Sequence, residues 1–166
     1  PSILASHVAG RGARLIVDTS GPALRHLLRE SHESIFVLRM DGPEAEDLAG
    51  RELRERKDTA DFAHSLVEKG VARNIIIARG ADGSVLANAG GRWHSAGVDV
   101  EVVSKVGAGD SFVGAFTLWS ARGEAVEDAL RAGVAAASAA VQTEATRLCE
   151  QVETEALIPQ CHVTRV

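Results

Sequence analysis

The sequence predicts an α/β fold: a three-layer sandwich with a mostly parallel sheet flanked by helices. Three observations predict it. Short β-branched runs alternate with amphipathic helical periods along most of the chain. The run Asn74–Ala78 (NIIIA) is the most apolar of the expected strands, short and continuous as expected for one covered on both faces. Two long helical stretches, separated by Gly123, follow a glycine-rich turn.

Taken in order, a helix is expected over Ser2–Ala9 and a first strand at Leu15–Val17, closed by Asp18-Thr19-Ser20-Gly21. A helix over Pro22–Glu30 leads to a second strand, Ser34–Leu38. That strand empties into a turn at Asp41-Gly42-Pro43, before a short acidic helix over Glu44–Ala49. The period of Thr59–Lys69 is helical, with Phe62, Ala63 and Leu66 inward. After the Asn74–Ala78 strand, Gly80-Ala81-Asp82-Gly83 reads as a turn. Ser84–Asn88 and Arg92–His94 read as a hairpin joined by Ala89-Gly90-Gly91. Val98–Val103 is the last expected strand, followed by helices over Asp110–Arg122 and Glu124–Gln142. Residues 1–149 form the body of the domain, and 150–166 are expected to add a short helix and a tail.

Composition narrows the function. The 166 residues are 45% hydrophobic and 25% charged, which suits one soluble domain with its own core. A net charge of −5 without basic runs argues against a nucleic-acid partner. The longest apolar stretches, such as Val134–Val141, are short and alanine-rich, far below the ~20 residues that span a bilayer, so no membrane partner is expected. Cys149 and Cys161, without a C-x-x-C, read as reduced thiols of a cytoplasmic protein. His7, His26, His32, His64, His94 and His162 show no metal-ligand spacing and read as surface or core residues. Pro1 opens directly into a helical pattern with no leader, so the chain reads as a fragment.

The segment that carries chemistry is Val103–Phe116. Two glycines permit a tight turn, and Asp110 opens a helix that is apolar nearly all round and is expected to be buried. A helix start built from Gly107, Ala108 and Gly109 leaves its N–H groups open to an anion, for which a phosphate oxygen is the natural guest. A carboxylate there can take the proton of an attacking hydroxyl while the N–H groups hold developing negative charge. The plainer alternative is that the glycines only make a turn and Asp110 is a favourable first-turn charge worth ~0.3–1 kcal/mol. No P-loop string, no complete dinucleotide fingerprint and no Gly-x-Ser-x-Gly elbow occurs.

The string Val-Gly-Ala-Gly-Asp-Ser-Phe-Val-Gly-Ala-Phe resembles the C-terminal signature of the ribokinase-like (PfkB) carbohydrate kinases. Ile16–Gly21, Arg51-Glu52-Leu53, Gly133-Val134-Ala135-Ala136 and Thr146-Arg147-Leu148-Cys149 extend the resemblance in order, more narrowly to the 6-phosphofructokinase branch. It spans nearly the whole chain but only the C-terminal half of such a kinase. The resemblance implies the C-terminal portion of a ribokinase-like fold and ATP-dependent, Mg²⁺-requiring transfer to a sugar or sugar phosphate, most of all fructose 6-phosphate. It makes Asp110 the catalytic base and the backbone of Gly107, Ala108 and Gly109 the anion hole. Gly80 and Gly83 fall in the nucleotide-binding turn, where a plain turn is the alternative. Glu44 matches the glutamate of the family's Asn-x-x-Glu motif, which orders Mg²⁺, and a hard oxygen suits that ion.

The departures bear on the nucleotide. Asp41 replaces the motif's Asn and puts a second negative charge near the triphosphate. Met40 and Pro43 replace a Pro and a nucleotide-contacting Lys. Lys105 stands at a usual Thr and either reaches the phosphates or stays in solvent. Ala78 replaces a small hydroxyl residue, and Thr143 and Ala145 replace the Asn and Gly of the adenine-side loop. The sugar site and the lid of the family lie N-terminal to this sequence. If these residues were the whole polypeptide, little or no kinase activity is expected, because positioning supplies ~7–11 kcal/mol in well-oriented systems.

Two readings compete with a kinase. One is a nucleotide- or anion-binding domain without catalysis, distinguished by phosphate binding without turnover. The other is an interaction module whose glycine turns are structural, distinguished by the absence of any phosphate binding. A homo-oligomer is expected through a sheet edge or face left uncovered.

Overall fold

The computed structural model describes residues 8, 11–29, 35–145 and 147–166. The helix expected over Ser2–Ala9 therefore lies outside the described residues except at Val8, as do Glu30, Ser34, His7, His32 and Thr146. In chain order the elements are β1 (Leu15–Asp18), α1 (Gly21–Leu27), β2 (Ile35–Asp41), α2 (Gly42–Ala49), α3 (Arg56–Glu68) and β3 (Asn74–Ala78). A 3-10 turn (Gly80–Asp82), β4 (Ser84–Asn88), β5 (Gly91–Ser95), α4 (Ala108–Ala121) and α5 (Val126–Ala140) follow. The chain ends with α6 (Gln151–Leu157), a second 3-10 turn (Ile158–Gln160) and β6 (Val163–Arg165). The strands form one open sheet in the order β1-β2-β3-β4-β5-β6, with β1/β2 and β2/β3 parallel. The mostly parallel α/β sheet is thus the one expected.

The chain divides into two compact units. One comprises the residues up to Arg79 with Val85–Trp93 and Arg165–Val166. Its core is built on β3, where Ile75, Ile76 and Ile77 are buried and each contributes about 1.5–3 kcal/mol. Leu24 and Leu27 of α1 and Ala63 and Leu66 of α3 form one cluster with Ile75 and Ile77, and Phe62 packs on it half-buried. Asn74, the polar member of β3, is satisfied: its Nδ2 donates to the Phe36 carbonyl at 2.9 Å and its Oδ1 accepts from Asn88 at 3.0 Å.

Two expectations fail in this unit for a shared reason. β2 does not stop at Leu38, because its parallel pairing with β3 continues through Met40↔Ile77 and Asp41↔Ala78. The expected turn at Asp41-Gly42-Pro43 is instead the end of that strand and the first turn of α2, where a proline is well placed. α3 likewise starts at Arg56, before the expected Thr59, because Glu55 and Asp58 form a reciprocal capping box. α1 is shorter than expected and ends at Leu27.

The other unit comprises Gly80–Ser84 and His94–Thr164. α4 packs along α5, and the Phe112 and Phe116 rings stack with centroids 6.1 Å apart. The expectation that α4 is buried nearly all round is not met. Ser111, Phe112, Phe116 and Ser120 form its buried stripe, whereas Leu118 is 50% exposed, since one packed neighbour covers one stripe of a helix.

No strand forms at Val98–Val103. The N–H groups of Val103 and Ser104 both donate to the Val141 carbonyl, at 2.8 and 3.1 Å, whereas successive residues of a strand point their N–H groups to opposite sides. The C-terminus is more ordered than a tail: after α6 the chain adds β6, with Cys161 buried. Both cysteines are free. No described helix is long and apolar enough to cross a membrane.

Candidate functional site

The first group of candidate residues lies at the start of α4. Gly107 is its N-cap, held at φ +86 and ψ −7, a left-handed conformation that favours glycine. No side chain caps this helix start. The Ser111 N–H returns to the Gly107 carbonyl at 2.9 Å, which closes the first turn around Ala108, Gly109 and Asp110. Asp110 is exposed in that turn, as is Lys105 before it. An exposed carboxylate beside an uncapped helix start can accept a proton from a hydroxyl next to a bound anion.

The loop that follows α5 is stitched to this turn. A Cβ at Gly107 would stand 3.1 Å from Leu148 Cδ2 and 3.4 Å from the Arg147 carbonyl oxygen. The Cys149 N–H donates to Ser111 Oγ at 3.2 Å. Thr143 Oγ1 lies 2.8 Å from the Ala140 carbonyl oxygen and 3.0 Å from that of Arg147, so it shapes the same loop. Ala145 is exposed beside it. Sequence spacing had no means of pairing Ser111 with Cys149, since they meet only through packing.

Gly80 opens a single 3-10 turn of the same unit, and Gly83 follows it directly. They differ in surroundings. A Cβ at Gly80 would meet open space, whereas one at Gly83 would fall 2.0 Å from the Ser95 carbonyl oxygen and 2.6 Å from Gly97 N. Gly83 is therefore required by close backbone packing, and Gly80 is the one with an open side. His94, 1% exposed, reaches the carbonyl of Asp82 in this turn, a contact that sequence reasoning missed.

Asp41 and Glu44 belong to the other unit, at the start of α2. Asp41 Oδ1 accepts from the Glu44 N–H at 2.9 Å, and Glu44 Oε2 accepts from the Asp41 N–H at 3.0 Å. The i, i+3 spacing is thus a capping box, and it holds both carboxylates at the C-terminal end of the parallel strand β2. Ligands of open α/β sheets gather outside such strand ends. Each carboxylate keeps one oxygen outside these two bonds, and a pair of hard oxygens fits Mg²⁺. Among the described residues no group of three or more His, Cys, Asp or Glu forms a cage of its own. A bound magnesium would draw its remaining ligands from phosphate oxygens and water.

The pfkB family carbohydrate kinase pattern matches residues 4–153. The ATP-dependent 6-phosphofructokinase isozyme 2 of Escherichia coli K12 is 35% identical over 152 residues, covering 92% of this chain and 48% of that protein. A crystal structure of phosphofructokinase-2 from Escherichia coli in complex with substrates and products superposes with a TM-score of 0.85 at 32% identity, covering 96% of this chain and 50% of the other. Arabidopsis thaliana ribokinase complexed with ribose and ATP superposes with a TM-score of 0.78 at 25% identity, covering 93% of this chain and 50% of the other. The chain spans about half the length of the relatives it matches. With a ribokinase-like fold and a family pattern running over most of its length, the chain belongs to the pfkB family of carbohydrate kinases.

Proposed function

We propose that this chain carries the nucleotide-side machinery of a kinase that transfers the γ-phosphoryl group of ATP to a sugar or sugar phosphate, with fructose 6-phosphate as the first acceptor to test. The observation that carries the reading is the uncapped start of α4, with Gly107 at φ +86 and Asp110 exposed in the first turn. In this reading the Asp110 carboxylate takes the proton of the acceptor hydroxyl. The hydroxyl oxygen forms its bond to the γ-phosphorus as the bond to the bridging oxygen breaks, leaving ADP. The backbone N–H groups of the Gly107-Ala108-Gly109 turn stabilise the charge on the transferred group. In the same reading Gly80 and Gly83 shape the turn that receives the nucleotide, Lys105 reaches phosphate, and Thr143 and Ala145 line the adenine side. Glu44, with Asp41 beside it, would hold a magnesium ion, which when bound would offset phosphate charge.

A second reading, nucleotide or anion binding without turnover, is favoured by Asp41. Its carboxylate serves the α2 cap and adds negative charge beside Glu44.

Calorimetric titration with Mg·ATP tests the shared part of both readings. Saturable binding that is lost in Gly109→Val supports the phosphate turn, and absence of binding overturns it. ADP formation with fructose 6-phosphate by the full-length protein then separates kinase from binder.

A further inference from the structure

His94, the penultimate residue of β5, has a fully buried side chain and lies in the unit formed by Gly80–Ser84 and His94–Thr164. Its Nε2 lies 2.6 Å from the Asp82 carbonyl oxygen and 3.8 Å from Asp82 Oδ1. A carbonyl oxygen only accepts, so Nε2 carries the proton it donates. The other end of the same peptide unit is also held, since the Gly83 N–H donates to the Gly80 carbonyl at 3.1 Å. The Asp82–Gly83 peptide plane is therefore pinned at both its oxygen and its nitrogen.

The residues that follow His94 grip the same turn. The space for a Cβ at Gly83 is occupied by the Ser95 carbonyl, and a Cβ at Gly97 would stand 2.6 Å from the Ala81 carbonyl oxygen. A leucine at position 94 could fill the core equally well, but it could not hold a carbonyl. Burying an imidazole is favourable only with such a bond, and a glycine-flanked turn without one is free to reorient its peptide planes.

We infer that His94 is a positioning residue for the nucleotide. By locking the Asp82–Gly83 peptide plane it keeps the Gly80–Gly83 turn in one backbone arrangement before ATP arrives, so less order has to be imposed on binding. This rests on reading that turn as part of the ATP site.

The test compares the wild-type chain with His94→Phe and His94→Gln, whose amide nitrogen can replace Nε2 as donor. Amide hydrogen exchange at Gly83 is followed without ligand, and Mg·ATP affinity is measured by calorimetry. The expected result for His94→Phe is exchange about tenfold faster at Gly83, unchanged protection of Ile75–Ile77 and Mg·ATP binding about tenfold weaker. His94→Gln should restore both to within about threefold of wild type. If His94→Phe also loses protection of Ile75–Ile77, His94→Met is read in its place by the same criteria. Wild-type binding with unchanged affinity in the apolar variant overturns this inference alone, as does a His94→Gln that stays as weak as that variant. Absence of Mg·ATP binding by the wild-type chain overturns the nucleotide reading and this inference together.

Discussion

The ring of Phe112 lies against Gly133: a Cβ at Gly133 would stand 2.9 Å from Cε2 of that ring and 3.0 Å from Cδ2 and Cζ. Gly133 sits inside α5, where glycine costs about 0.5–1 kcal/mol relative to alanine. The close approach of the ring explains why the helix carries it. Phe112 lies two residues beyond Asp110, so this contact seats the first turns of α4 on α5.

Gly133→Ala sets a helix gain of that size against an overpacking cost of about 1–3 kcal/mol. The variant is expected to be about 1 kcal/mol less stable, read from the midpoint of urea unfolding at unchanged slope. A stabilised variant would show that the ring has room to move.

Gly107→Ala forces a non-glycine residue into a left-handed conformation, at about 1–2 kcal/mol, and presses on Leu148. Lower stability and loss of Mg·ATP binding are expected together. A variant that binds normally would remove the turn from the site.

In the full-length protein, Asp110→Ala should lower the rate of ADP formation with a sugar phosphate by about 10²–10⁴ while leaving Mg·ATP affinity within about twofold. Retention of more than about a tenth of wild-type turnover would end its assignment as the base.

Asp41→Asn and Asp41→Ala separate charge from capping. Asparagine keeps the cap acceptor, so stability should be unchanged while Mg·ATP binds about three- to tenfold more tightly. Alanine should cost about 1 kcal/mol in thermal or urea unfolding, because the Glu44 N–H loses its acceptor. Equal Mg·ATP affinity in wild type and Asp41→Asn would place Asp41 away from the phosphates.

Cys161 is buried, and desolvation raises its thiol pKa from 9.0 to about 11, partly offset by Arg131. The folded state therefore holds that proton more tightly than the unfolded state. Its contribution is complete below pH 9 and is lost as pH rises towards 11. Stability should fall across that window more steeply than in Cys161→Ala. Iodoacetamide near neutral pH should label Cys149, which is half-buried, well before Cys161. Equal labelling rates would contradict the burial.

Much of this protein is legible in its residues. Continuous burial of β3 from Asn74 to Ile77 follows from its run of isoleucines, and the hairpin at Asn88–Gly91 follows from its turn residues, with Asn88 Oδ1 accepting the Gly90 N–H at 2.7 Å. The turn before Asp110 is visible because two glycines and a carboxylate stand together. The strand expected at Val98–Val103 is absent because its N–H groups find the end of α5 and not a neighbouring strand, a choice that no local pattern encodes.

The sequence by itself determined the α/β class, the family signature and the candidate residues, since periodicity, glycine turns and motif spacing are local properties of the chain. Only the tertiary structure decided that Gly83 is demanded by the Ser95–Gly97 backbone and that His94 holds the Asp82 carbonyl. It also decided that Cys149 meets Ser111 and that Phe112 rests on Gly133. Those pairs are far apart along the chain, and packing of whole elements, whose energy is summed over many contacts, brings them together.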